Sequence, residues 1–130
     1  MNNKQNFLPV SYTIPHQFTA LAAGATTQTS PSISIGTFPF IWTALGVYFH
    51  TGSSEDISIL IRDESASMNF TKDKASLRSM LNKEDDKYYL PMPYRFRAEA
   101  SLYVEVKNNH ASTAATFDLG FIGWLEIPII

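Results

Sequence analysis

The sequence predicts an all-β fold: a two-sheet antiparallel sandwich, jelly-roll-like, with about eight strands and one short helix near residues 73–82. Three observations predict it. Apolar and polar residues alternate with period two along several segments, which puts one apolar row on one face of a strand. Turn-forming clusters recur between those segments. One stretch alone, Thr71 to Asp86, is polar, charged and free of Gly and Pro, and reads as a helical crossover.

Strands are expected near 16–22, 31–36, 39–50, 56–63, 67–71, 88–97, 101–107 and 116–126. Ile33 and Ile35 alternate with serines, after a Ser/Thr/Gln loop from Gly24 to Pro31. Trp42 to Phe49 is apolar on both faces and rich in β-formers, as a strand covered on both sides should be. Trp42 is therefore expected in the core. Ile57, Ile59 and Ile61 alternate with Ser58, Leu60 and Arg62. Asp73 is placed to cap the short helix, with Leu77, Met80 and Leu81 on one side. Tyr88 to Phe96 contains Pro91 and Pro93, which give no ladder N–H, so it is expected at a sheet edge, as a strand start or as an extended arm. Leu102, Val104 and Val106 form the next row, and Phe117, Leu119 and Phe121 the last. Lys107 to His110 reads as the turn between them, because Asn tolerates left-handed conformations. Trp124 is out of phase with the last row and in phase with Glu126, which marks it as an exposed or interface ring.

Charge is unevenly placed. Of the 10 basic and 12 acidic side chains, all but Lys4, Asp118 and Glu126 lie between Glu55 and Lys107. Neutral, aromatic-rich surface is easily desolvated, and interface cores are depleted in charge and enriched in aromatics. Met1 to Pro15 carries Phe7, Leu8, Val10, Tyr12 and Ile14 but also Pro9 and Pro15. It is expected as an extended arm, residues 1–15, apart from a single sandwich domain of residues 16–130. Ile127, Ile129 and Ile130 around Pro128 repeat the pattern. Phe7, Leu8, Val10, Tyr12, Trp124, Ile127, Ile129 and Ile130 are thus the candidate interface residues.

Candidate chemistry is sparse. No Cys is present, so disulfides and thiolate metal sites are excluded. His16, His50 and His110 lack a second ligand at metal-binding spacing, and no metal or cofactor is expected. The pairs Glu55-Asp56, Asp63-Glu64 and Asp85-Asp86 flank strands rather than a cleft of glycosidase type. There is no GxSxG elbow, phosphate-binding loop or GxGxxG, so no enzyme activity is expected. A net charge of −2 gives no field to attract nucleic acid or an anionic membrane. Tyr94-Arg95-Phe96-Arg97 would send rings and guanidinium groups to opposite strand faces. No segment reaches the roughly 20 apolar residues of a membrane helix. Pro9 and Pro15 interrupt any secretion signal.

The order of features resembles that of small bacteriophage virion proteins of the β-sandwich or jelly-roll type. It runs from His16-Gln17-Phe18 through a Ser/Thr loop to Ile33-Ser34-Ile35. Phe40-Ile41-Trp42-Thr43-Ala44 follows, then an Ile-rich strand ending in Arg62-Asp63. A polar excursion leads into Leu90-Pro91-Met92-Pro93, then a Leu-x-Val-x-Val strand with a following Asn, then a final strand carrying Gly123. The resemblance implies a non-enzymatic structural subunit of a capsid, neck or tail, assembled in the host cytoplasm and resident in the virion. Its partners would be copies of itself and other virion proteins, with no direct nucleic-acid or membrane contact. The alternative is a carbohydrate- or ligand-binding sandwich using an exposed aromatic platform that includes Trp124.

Overall fold

Period-two rows need something to cover them, and here two sheets cover each other. The computed structural model describes residues 6–71 and 73–129. Its strands are β1 Phe7–Leu21, β2 Thr26–Gln28, β3 Ile33–Ser34, β4 Phe40–Thr51, β5 Ile57–Asp63, β6 Met68–Asn69, β7 Ala75–Ser76, β8 Lys87–Phe96, β9 Ser101–Asn108 and β10 Ala115–Pro128. One four-stranded sheet runs β1-β10-β4-β8. The other runs β2-β9-β5-β6, with β3 also on β9 and β7 also on β5. All pairings are antiparallel. First and last strands meet in one sheet while the intervening ones alternate between sheets, which is jelly-roll wiring.

The rows point inward as the alternation dictates. Ile57, Ile59 and Ile61 on β5 and Leu102, Val104 and Val106 on β9 meet Phe117, Leu119 and Phe121 on β10, all buried. Trp42 lies fully buried among Phe70, Phe96 and Phe121. An extra residue, Thr43, interrupts the β4–β10 ladder between Ile122 and Gly123. The bulge satisfies its own polar groups: Thr43 Oγ1 donates to the Ile122 carbonyl at 3.0 Å, and Trp42 Nε1 to the Ala44 carbonyl at 2.7 Å. Only glycine fits opposite it, because a Cβ on Gly123 would stand 1.8 Å from the Ile41 carbonyl oxygen.

Four sequence expectations need correction. The arm boundary at Pro15 is absent: residues 7–15 are the first part of β1, paired in register from Phe7↔Pro128 to Phe18↔Phe117. The prolines permit this by their phase. The Ile129 N–H donates to the Asn6 carbonyl, so even-numbered residues of β1 face β10 and odd ones face outward. Pro9 and Pro15 therefore lack an N–H only on the free edge. The helix is a single turn, α1 Leu77–Met80, capped at Ser76 without a side-chain bond. Asp73 Oδ1 accepts instead from the Lys74 N–H, and Ala75–Ser76 extend to pair with β5. Part of the Ser/Thr loop is β2, a ladder on β9.

Asn108 is the fourth correction. It is buried, not a solvated turn residue. Its Nδ2 donates to the carbonyls of Leu21 at 3.0 Å and Thr113 at 2.9 Å, and its Oδ1 accepts from the His110 N–H at 3.0 Å. One side chain thereby joins the end of β1 to the loop entering β10. A second polar clasp joins the sheets: the Tyr94 hydroxyl donates to buried Asp63 Oδ2 at 2.6 Å. The other Asp63 oxygen accepts from the Ser65 and Ala66 N–H groups.

Candidate assembly surface

Large apolar side chains left in water are concentrated. Among the described residues the exposed ones are Phe7 (40 %), Leu8 (51 %), Val10, Tyr12 (45 %), Tyr48, Met68, Tyr89, Met92 (78 %) and Ile129 (52 %). Five of them, Phe7 to Tyr12 and Ile129, lie where β1 and β10 run side by side. The ladder of β10 with β4 stops at Leu125↔Phe40, whereas that with β1 continues to Phe7↔Pro128. The Glu126 N–H still donates to the Pro39 carbonyl at 3.0 Å, so the last two pairs are a two-stranded ribbon, extending roughly 7 Å past the sheet at about 3.4 Å per residue.

Register fixes which way each side chain points. Leu8, Val10 and Tyr12 share the face of Ile14 and Phe18, and their partners are Ile127, Leu125 and Gly123. Tyr12 meets core Phe40 edge-on at 6.2 Å, so this row continues the core outward. Phe7 is on the opposite face with Trp124 and Glu126. Trp124 is half-buried rather than open, paired between Ser11 and Ile41. Ile127 is half-buried, Ile129 exposed, and Ile130 lies outside the described residues. Of the arm, Met1 to Gln5 also lie outside them.

The outer face of the same sheet is nearly neutral. Gly46 pairs with Gly120 and Ala44 with Ile122, flattening its centre. Three of its charges are tied down. Arg95 Nε donates to Glu126 Oε2 at 3.0 Å, bridging β8 and β10 across β4. The His50 ring, with help from the Gln17 amide, holds the Asp118 carboxyl below its usual pKa. Burial lowers the pKa of His16. No cluster of three His, Cys, Asp or Glu able to hold a metal ion occurs among the described residues.

Opposite the ribbon, at the β8 edge, the sandwich opens into an apolar cleft of about 360 Å³. Between Trp42↔Tyr94 and Ala44↔Tyr89 the β4–β8 register slips, and Leu90 to Pro93 have no β4 partner. This loop forms one lip, Met68 and Phe70 the other, and Trp42, Tyr88 and Tyr94 line the interior. None of these side chains is charged. The sequence did not single out Met68 or Met92. Their only signal was two methionines in otherwise polar or proline-broken stretches.

No protein-family model matches the chain, and no curated protein is similar to it. A solved structure described as "Bacillus endospore appendages form a novel family of disulfide-linked pili" is similar over 96% of this chain and 94% of that chain, at 12% identity and a TM-score of 0.34.

Proposed function

We propose that this chain is a non-enzymatic structural subunit that assembles with copies of itself, and with other virion proteins, in the capsid, neck or tail of a phage particle. The observation that carries assembly is the β1/β10 end with five apolar side chains in water, where the one charge, Glu126, is paired with Arg95. The order of sequence features supplies the phage assignment. Its site of residence would be the virion, reached from the host cytoplasm.

Magnitudes constrain how such a subunit associates. Burying a large apolar side chain yields about 1.5–3 kcal/mol. Five that are roughly half exposed would yield about 4–8 kcal/mol on being covered. Association costs an estimated 4–15 kcal/mol in lost freedom. A ribbon pressed on an ordinary polar surface would not hold, so the reading requires an apolar counterpart or many simultaneous contacts.

Light scattering on the purified chain tests this reading. A defined oligomer is expected, and Leu8→Glu combined with Val10→Glu should shift it toward monomer without lowering the melting temperature. A wild-type chain that stays monomeric at high concentration, and is missing from purified particles by mass spectrometry, sinks the proposal. A second reading, a glycan-binding module, is favoured by exposed Tyr48 beside a shallow groove of about 420 Å³ with Gly46 and Gly120 in its lining. A glycan array read with wild type and Tyr48→Ala separates the two.

A further inference from the structure

The ribbon and the cleft are complementary, and they lie on opposite edges of one sheet. Seven of the nine exposed large apolar side chains lie on or beside one or the other. The cleft lining carries no charged side chain, and the one charge beside the ribbon, Glu126, is paired with Arg95. In the order β1-β10-β4-β8 they are separated by three strand spacings, about 14 Å. The chain's own ribbon therefore cannot reach its own cleft. A second copy can reach it.

Resting on the assembly reading above, we propose that the ribbon of one subunit docks in the Met68–Met92 cleft of the next, a head-to-tail contact that repeats into a ring or filament. A heterologous contact of this kind leaves one unused ribbon and one unused cleft after every addition. The cleft receives side chains, not a strand. Pro91 and Pro93 offer no N–H for ladder growth, and the Tyr94 hydroxyl is already committed to Asp63. Met68 and Met92 give the lips adaptable thioether chains that close over aromatic or aliphatic groups. Phe7 and Leu8 sit on opposite faces of the ribbon, so one of them meets the cleft whichever way the ribbon rolls.

The absence of cysteine allows a direct test. Single variants Phe7→Cys, Leu8→Cys, Met68→Cys and Met92→Cys are made and their melting compared with wild type. They are then mixed in pairs under mild oxidation. A disulfide requires Cβ atoms about 3.5–4.5 Å apart. The proposal expects a ribbon–cleft heterodimer in at least one mixed pair, and a ladder of multimers or one closed ring from the corresponding double variant. Met92→Asp should weaken self-association at least tenfold, while Tyr48→Ser on the outer face leaves it unchanged. Disulfides only within the ribbon variants, with no ribbon–cleft product, would overturn it in favour of a two-fold contact between β1 edges. Wild type that remains oligomeric while every mixed pair fails also overturns head-to-tail docking, yet leaves assembly standing. A monomeric wild type removes both.

Discussion

Replacing Asn108, the last residue of β9, with alanine should cost more than any polar-to-alanine change in the loop that follows it. The side chain is buried and makes three hydrogen bonds to backbone groups of Leu21, Thr113 and His110. Leu21 is itself buried, so its carbonyl would lose its partner without gaining water, at about 1–3 kcal/mol. Thr113 is exposed and His110 half-buried, so their groups find water and forfeit only the net bond, about 0.5–1.5 kcal/mol each. The sum is about 2–6 kcal/mol, a large share of the roughly 5–15 kcal/mol that stabilises a typical domain. Urea unfolding followed by Trp fluorescence, with melting in parallel, measures it. Asn109→Ala is the internal control. Its Nδ2 bonds Ser58 Oγ at 2.8 Å in an exposed setting, so its cost should stay within about 1 kcal/mol. Equal effects of the two variants at an unchanged m-value would refute the claim that Asn108 is a buried tie.

Gly123→Ala should prevent folding or cost at least about 3 kcal/mol, since the clash is with backbone that cannot rotate away; a wild-type melting curve would contradict the bulge. Ile59→Asp should unfold the domain by placing an unpaired charge in the fully buried β5 row, and circular dichroism of a folded variant would reverse the assigned facing. The Tyr94 phenol is pushed up to about 12, by burial first and the Asp63 hydrogen bond second. Its folded value exceeds the unfolded value of about 10, so its contribution is complete below pH 10 and is lost as pH rises through 12. Tyr94→Phe should be less stable than wild type at pH 8, with the gap narrowing above pH 10; a constant gap would show that the phenol proton is not what binds Asp63.

What the sequence disclosed was set by one-sided burial. Ile57, Ile59 and Ile61, or Phe117, Leu119 and Phe121, each see the core on one face and not the other, so period two survives in the residue types themselves. Pairing partners leave no such local mark. β1 and β10 meet although 93 residues, 22–114, separate them, and nothing in Pro9 or Pro15 says that their missing N–H groups face outward. Asn108 reads as a turn residue because asparagine serves turns and buried backbone ties with the same amide. The cleft was hidden for another reason. It arises from a register slip between β4 and β8, and its two methionines come from different sheets. The apolar ends were visible as composition, but only the register separates the inward row of Leu8, Val10 and Tyr12 from the outward Phe7.

The uneven charge along the chain becomes, through jelly-roll wiring, a difference between sheets. Because first and last segments pair, the charge-poor stretches collect in one sheet: β1 and β4 carry no charged residue, β10 carries Asp118 and Glu126, and β8 carries Lys87 and Arg95. A neutral sheet with two open edges is normally an aggregation hazard, and soluble proteins blunt such edges with charge or proline. On β1 this chain uses proline alone, whereas β8 also carries Lys87 and Arg95. Pro9 and Pro15 interrupt the outward N–H row on β1 and leave only Ser11 and Thr13 in succession between them, too short a window there for a stable added strand. Pro91 and Pro93 do the same on β8. Backbone ladder growth is thus interrupted at both edges while apolar side chains are left free at both. That combination disfavours indiscriminate strand stacking and favours contacts whose fit depends on side-chain shape. Charge at either edge would protect a monomer equally well, but it would also have to be desolvated in any contact, at a cost that pairing does not reliably return. Proline protection carries no such cost, so the way the β1 edge is guarded is itself an argument that it is meant to be covered.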